Sequence, residues 1–81
     1  MSAKSIHKAE YQVLQRLLRG IRKRAGLTQA QLSVALDRPQ SYVSDVERGS
    51  RRMDLLQLRE FCRACGQDLT EFVRGFEAEL R

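Results

Sequence analysis

The sequence lacks any apolar run close to the roughly 20 residues needed to cross a bilayer, and its first twelve residues are mostly polar. We therefore expect no transmembrane helix and no secretory signal peptide, and we expect the protein to act in the cytoplasm. β-Branched residues are few and do not alternate with polar ones, which disfavours strands. With 81 residues and no low-complexity linker, the chain predicts a single domain with one modest core.

Residue groups that support catalysis are also missing. The sequence shows no nucleophile–base pair, no cluster of metal ligands and no glycine-rich phosphate loop, so we expect no enzyme, no cofactor and no metal. Cys62 and Cys65 form a C-x-x-C pair that the single histidine, His7, does not complete into a zinc site. A redox switch would explain the pair, but two small core residues explain it better, because both lie on apolar positions near a helix C-terminal end.

Basic charge is concentrated in the first two thirds of the chain. The net charge is +5, and residues 1–52 hold 11 of the 15 basic residues but only 4 of the 10 acidic ones. Twelve of the basic residues are arginines, which favour planar contacts with phosphates and base edges. This distribution predicts one face that meets a polyanion, with simple solubility as the alternative explanation.

Apolar periodicity predicts five helices. Local signals mark their ends: Thr28 is a candidate N-cap, and Asp54 and Asp68 are each followed three residues later by Gln or Glu, as in a capping box. Asp37 is expected to adopt a left-handed turn, and Pro39 to open the third helix. The predicted helices cover about residues 6–25, 29–36, 40–48, 55–65 and 69–80.

The third helix has one apolar side and one polar side. Val43 and Val46 can dock on a core, and a helix of only nine residues needs such support. The opposite side carries residues whose side chains match the hydrogen-bonding groups of base edges, together with one arginine. These residues are Gln40, Ser41, Ser44, Asp45 and Arg48. With Arg51 and Arg52 just beyond, the helix suits a DNA-reading element, although an ordinary amphipathic surface helix explains its pattern equally well.

Residues 29–48 resemble the helix-turn-helix of the Cro/lambda-repressor-like (XRE-type) DNA-binding family. The shared features are Gln29 at the first position, a small residue at the fifth, and apolar residues at the fifteenth and eighteenth. The segments Gly26–Gln29 and Glu47–Gly49 also resemble family sequences, and the likeness spans about residues 14–72. It implies a compact five-helix, all-α, lambda-repressor-like domain that binds double-stranded DNA in a bacterial or phage cytoplasm.

The resemblance also implies roles for individual residues. Arg22 and Glu47 fall where some members hold an ion pair between the first and third helices. The predicted base-contacting residues are Gln40, Ser41, Ser44 and Asp45. The predicted backbone-contacting residues are Thr28, Gln29, Arg38, Tyr42, Arg48, Arg51 and Arg52. In the fourth helix, Leu55 falls on a core position.

Departures from the family pattern leave alternatives open. Arg38 replaces an apolar residue, so we expect it at the surface and facing phosphate. Asp45 can accept a hydrogen bond from cytosine, repel wrong sequences, or be a solvated charge outside the groove. Tyr42 is exposed by helical phase and can pack on the sugar-phosphate, on a thymine methyl group, or over the second helix.

The fifth helix carries more apolar surface than an 81-residue core requires. Phe72 is expected inward, and Val73, Phe76 and Leu80 are expected at a homodimer interface, unless all of them pack into their own core. The compact chain also resembles restriction–modification controller proteins. We therefore predict a homodimeric repressor or autoregulator that reads a near-palindromic operator. The alternative is an antitoxin that binds a toxin protein and regulates itself through DNA.

Overall fold

The computed structural model describes the backbone of residues 3–81 and the side chains of residues 8–81, so His7 lies outside the side chains that are described. Over these residues the chain forms five helices and no strands, which confirms the predicted all-α class. None of the described helices is long and apolar enough to cross a membrane. The helices are α1 (Ala3–Arg24), α2 (Gln29–Ala35), α3 (Ser41–Arg48), α4 (Leu55–Ala64) and α5 (Leu69–Leu80).

Two of the three predicted N-terminal caps form as expected. Thr28 and Asp54 each form a complete capping box with the glutamine three residues later, which satisfies two backbone N–H groups at the start of α2 and of α4. Asp68 is the N-cap of α5 but makes no side-chain capping bond. The Glu71 carboxylate accepts a hydrogen bond from Arg74 instead, so the capping box predicted for α5 is wrong.

The turn between α2 and α3 is tight. Asp37 has a φ of 57°, the left-handed conformation expected from the sequence. Pro39 precedes the N-cap Gln40, and its carbonyl accepts a hydrogen bond from the Tyr42 N–H at 2.9 Å. The helix therefore starts at Ser41, one residue later than predicted, which is within the usual variation of helix ends.

Gly49 ends α3 in a place where no other residue fits without rearrangement. Its φ is 82°, and a Cβ atom at this position would lie 2.0 Å from the Gln15 Nε2 atom of α1. The left-handed backbone conformation therefore favours glycine, and a Cβ atom here would also displace the flexible end of the Gln15 side chain.

All five helices contribute to one core. Its fully buried members include Leu32 and Phe61, each of which contributes about 1.5–3 kcal/mol when removed from water. Phe72 is buried, as expected. The buried hydrophobic residues are Leu18, Ile21, Leu32, Tyr42, Val43, Val46, Phe61, Cys62 and Phe72.

Two sequence expectations about exposure are wrong. Tyr42 is only 4% exposed, because it lies on the inward side of α3 beside Val43 and Val46. Leu55 is 66% exposed rather than a core residue. The apolar stripe of α4 is covered only from Leu58 onward, so its first turn remains open to solvent.

Cys62 and Cys65 are free thiols that pack in or against the core. Burial raises the pKa of each thiol from 9.0 to about 11. The thiolate, which is the reactive form, is therefore scarce near neutral pH. This environment matches the interpretation of two core residues rather than a redox pair. Among the side chains of residues 8–81, no group of His, Cys, Asp and Glu is arranged to hold a metal ion.

Candidate nucleic-acid interface

The α3 helix separates its residues cleanly between two sides. The inward residues are Tyr42, Val43, Val46 and Glu47, all of them buried. The outward residues are Ser41, Ser44, Asp45 and Arg48, which are exposed or half-buried. With 3.6 residues per turn, each set occupies one side of the helix. The inward side fixes the helix to the protein, and the outward side presents hydroxyl, carboxylate and guanidinium groups to solvent.

A buried carboxylate ties α3 to α1 and α2. Glu47 is 1% exposed, and its two oxygens accept hydrogen bonds from Arg22 Nε at 2.6 Å and Arg22 Nη2 at 3.1 Å. The Gln29 Nε2 atom donates a third bond at 2.9 Å. Arg22 also donates to the Leu27 carbonyl at 2.9 Å. The structure thus brings together the two residues expected to form an ion pair, and this arrangement sets the angle of α3 from within the protein.

Gln29 makes a contact within the protein in addition to the backbone contact that the resemblance implies. Its side-chain amide donates one hydrogen bond to Glu47, and the amide group has a second proton. The neighbouring N-cap Thr28 uses a lone pair of its hydroxyl oxygen to accept from the Gln31 N–H at 3.0 Å. The hydroxyl proton of Thr28 has no partner within residues 8–81, so it is available to donate to an oxygen atom outside the protein.

Ser33 links α2 to the first turn of α3, a role that the sequence analysis missed. This fully buried hydroxyl donates to the Gln40 carbonyl at 3.2 Å and accepts from the Val43 N–H at 3.2 Å. Gln40 makes no side-chain capping bond, so the Val43 N–H at the start of the helix needs another acceptor. Glutamine is a poor N-cap residue, so the sequence already indicates that the first turn of α3 needs an acceptor from elsewhere. That signal could have identified Ser33.

The starts of α2 and α3 together form a shallow polar depression. It is lined by Thr28, Gln29, Ala30, Gln40, Ser41 and Ser44. The Ser44 hydroxyl donates to the Ser41 carbonyl at 3.0 Å, which leaves its oxygen as an acceptor. Most of the predicted base-contacting residues and two of the predicted phosphate contacts thus share one surface.

At the other end of α3, Asp45 and Arg48 form an ion pair on the outward side. The pair is one helical turn apart, and the Arg48 side chain remains mostly exposed. A carboxylate and a guanidinium are therefore presented side by side. The remaining guanidinium protons of Arg48 can donate to a ligand without separating the pair.

Arginines surround the buried ring of Tyr42. The Cζ atoms of Arg38 and Arg51 lie 5.1 and 5.2 Å from the ring centroid, within cation–π range. Burial raises the pKa of the Tyr42 hydroxyl, and the two arginines only partly oppose this shift. Arg38 also pairs with Glu60 at 3.4 Å. Tyr42 is therefore not exposed beside the predicted phosphate-contacting residues. Its ring packs against two of them, Arg38 and Arg51.

Arg51 and Arg52 lie in the loop between α3 and α4. Arg52 stacks on Tyr11 of α1, with its Cζ atom 4.4 Å from the ring centroid. Within residues 8–81, neither arginine forms an ion pair with a carboxylate. Both side chains are exposed, so two positive charges without a carboxylate partner lie just beyond the C-terminal end of α3.

Comparison with known proteins agrees with this architecture. A family model described as a helix-turn-helix domain matches residues 14–74. Among solved structures, an XRE-family-like protein from Pseudomonas syringae pv. tomato is 42% identical. The alignment covers 96% of this chain and 95% of that one, with a TM-score of 0.88.

A second solved structure, the clp gene regulator ClgR from Corynebacterium glutamicum, shares the fold with a TM-score of 0.75. It is 24% identical, over 86% of this chain and 74% of that one. No curated protein matches the chain. Because the helix-turn-helix model covers most of the chain and the Pseudomonas protein matches nearly all of it, this protein belongs to the XRE-type helix-turn-helix family.

Proposed function

We propose that this protein regulates transcription by binding double-stranded DNA in a sequence-specific manner, with α3 in the major groove. The observation that carries the proposal is the division of α3 into a fixed inward side and a polar outward side. A helix enters the major groove of B-DNA with its outward residues at the base edges. The regulator name of the related-fold protein from Corynebacterium agrees with this role.

Direct base contacts are assigned to the outward residues of α3. Gln40 can pair with adenine through two hydrogen bonds, Ser41 can donate or accept, and the Ser44 oxygen can accept. Asp45 cannot approach a phosphate, so its carboxylate accepts from the amino group of a cytosine. Its partner Arg48 lies where the guanidinium can reach either a phosphate or the guanine of the same base pair.

Contacts with the DNA backbone fix the position of α3 in the groove. Thr28 and Gln29 approach it from the start of α2, and arginines approach it from the far end. These arginines are Arg38, Arg48, Arg51 and Arg52. Tyr42 contributes by holding Arg38 and Arg51 in place rather than by touching the DNA itself.

Specific binding requires two copies of the chain, because one helix-turn-helix reads too few base pairs. The surface assigned to the dimer lies on α5, where Val73 is 40% and Leu80 is 36% exposed. Phe76 is half-buried and lines a shallow cavity with Tyr11 and Leu14 of α1, so it joins that surface at its edge. A two-fold dimer of this kind reads a near-palindromic operator and acts as a repressor or autoregulator.

An antitoxin is a second candidate, because one further apolar patch is exposed. Leu55 and Leu56 at the start of α4 are 66% and 71% exposed, and they lie on a different helix from the proposed dimer surface. Adjacent exposed leucines of this kind suit the docking of a partner protein such as a toxin. The likeness to restriction–modification controllers and the bacterial or phage cytoplasm as the site of action remain predictions.

Selection of bound sequences from a pool of random DNA tests the proposal. We expect a near-palindrome to be enriched, since each half-site should be read by one α3. The Gln40→Ala protein, selected in parallel, should lose preference at one position in each half-site. Binding without any enriched sequence would contradict sequence-specific regulation, and enrichment of an unrepeated site would contradict the dimer.

A further inference from the structure

A small cavity lies between α1 and the loop that joins α3 to α4. Its volume is about 110 Å³. Its walls are apolar and come from three helices and the loop; they are formed by Leu14, Leu18, Val46, Met53 and Leu58. An apolar cavity of about 150 Å³ is sufficient to bind benzene. The smaller volume here limits a ligand to one small ring or a short branched chain, with the polar end of the molecule outside the walls.

The opening of the cavity is positively charged. Arg51 and Arg52 both line it, together with Tyr11 and the Gln15 amide, and no acidic side chain of residues 8–81 lines it. Asp54, the next acidic residue along the chain, uses its Oδ1 atom to cap α4. The two guanidinium groups rest on aromatic rings and form no ion pair within the described side chains, whereas Arg16, Arg22 and Arg38 all do.

We propose that this cavity binds a small apolar carboxylate, either an aromatic acid with one ring or a short branched-chain acid. The apolar part occupies the walls and is removed from water. The carboxylate accepts charge-assisted hydrogen bonds from Arg51 and Arg52, whose planar donors match its geometry. Such a small ligand touches few protein atoms, so a dissociation constant in the millimolar range is expected.

Binding of this ligand opposes DNA binding, a consequence that rests on the proposed function. The same two guanidinium groups are assigned to DNA phosphates, and they cannot pair fully with a ligand carboxylate and a phosphate at once. The ligand therefore weakens binding to all DNA sequences alike. The site lies in the helix-turn-helix domain itself, so regulation by this ligand requires no separate sensor domain.

Binding is tested on the full chain without DNA, by titrating benzoate while following backbone amide shifts by NMR. We expect saturable shifts concentrated in residues 11–18 and 49–58. Benzamide has the same ring without the charge, and acetate has the charge without the ring; both should bind at least about tenfold more weakly. Equal binding of benzoate and benzamide would overturn the assigned role of the arginines, and shifts spread over all exposed arginines would overturn the site.

Variants separate the two parts of the site. Arg51→Gln with Arg52→Gln should reduce benzoate affinity at least about tenfold, whereas Arg63→Gln, an exposed arginine on α4, should leave it unchanged. Leu14→Phe fills the cavity and should abolish binding of the ring. If the Leu14→Phe protein does not fold, Leu58→Phe is used as the filling variant. Unchanged benzoate affinity in a folded filling variant would overturn the proposal.

The effect on DNA is measured separately. Saturating benzoate should lower the affinity for any duplex and reduce the slope of log K against log salt by about 0.9 for each DNA phosphate that the arginines no longer neutralise. If benzoate binds in the cavity and DNA affinity does not change, competition between benzoate and DNA is refuted, whereas the ligand site itself is confirmed. If the free protein does not bind DNA at all, the proposed function fails, whereas the titration without DNA still decides the ligand site.

Discussion

The helices α3 and α5 are attached to the same core by different interactions. Both helices bury apolar side chains, but α3 adds a buried polar network to Val43 and Val46, since Glu47 accepts three hydrogen bonds from Arg22 and Gln29. The attachment of α5 is apolar, through the buried ring of Phe72, and its ion pair with α1, between Arg16 and Glu79, lies at the surface.

This difference corresponds to what each helix is proposed to do. Hydrogen bonds are directional, so a buried polar network fixes the orientation of α3 to within the geometry of those bonds. Apolar contacts are not directional and tolerate small shifts. A helix that reads bases needs a fixed orientation, whereas a helix that packs against a second copy of the chain can adjust to its partner.

The largest expected effect comes from breaking the buried network with Glu47→Ala. Removing one partner leaves Arg22 buried without its counter-ion, which costs about 3–5 kcal/mol of unfolding free energy. In contrast, Glu79→Ala at the surface pair of α5 should cost about 0–1 kcal/mol. Chemical denaturation measures both. Equal losses of unfolding free energy would show that the two helices are not held differently. The double variant Arg22→Met with Glu47→Leu removes both charges and should recover much of the stability.

A charge placed on the apolar side of α5 should separate the proposed dimer. In Leu80→Glu, or Val73→Glu, a carboxylate from each copy would be desolvated close to its equivalent, which is strongly unfavourable. We expect a folded monomer whose affinity for the preferred site falls by a factor on the order of 10². Sedimentation detects the monomer, and Ala78→Glu, at an exposed position elsewhere on α5, is the control. A Leu80→Glu protein that still sediments as a dimer would place the interface elsewhere.

A smaller and more specific effect is expected on the outward side of α3. Gln40→Ala should reduce affinity for the preferred site by about 1–3 kcal/mol and leave non-specific binding unchanged. Stability should not change, since the Gln40 side chain makes no capping bond. Gln12→Ala, an exposed glutamine of α1, is the control in the same binding titration. Unchanged affinity for the preferred site would mean that α3 does not read it through Gln40.

The last effect is absent near neutral pH and appears only at high pH. The Cys62 thiol has a pKa of about 11 in the fold, against an ordinary value of 9.0. Below pH 9 it is protonated in both states, so it does not change stability. Between pH 9 and 11 it ionises only in the unfolded chain, which favours unfolding, so stability falls as the pH rises. Denaturation at several pH values should show a shallower decline in Cys62→Ala than in the original protein, and identical pH profiles would contradict the burial of the thiol.

The fold could be predicted because its signals are local. Apolar spacing gave the five helices, and Thr28, Asp54 and Gly49 mark ends that depend only on nearby backbone. The capping box at Asp68 failed although its pattern is the same. A side chain with several possible partners is not fixed by spacing alone.

The site was less accessible to sequence reasoning, because it depends on contacts between distant parts of the chain. The contact of Arg22 with Glu47, 25 residues apart, came from family resemblance and not from any local pattern. The expected exposure of Tyr42 was a misreading of helical phase. Tyr42 lies four residues before Val46, so 3.6 residues per turn place both side chains on the inward side of α3.

The clean division of α3 has a consequence for protein engineering. Inward and outward positions share no residue, so the outward set can be randomised in a library without disturbing the side chains that anchor the helix. Residues 41, 44, 45 and 48 would be varied, with position 40 added at the helix start, and residues 42, 43, 46 and 47 would be kept. New binding preferences could then be selected on a constant scaffold.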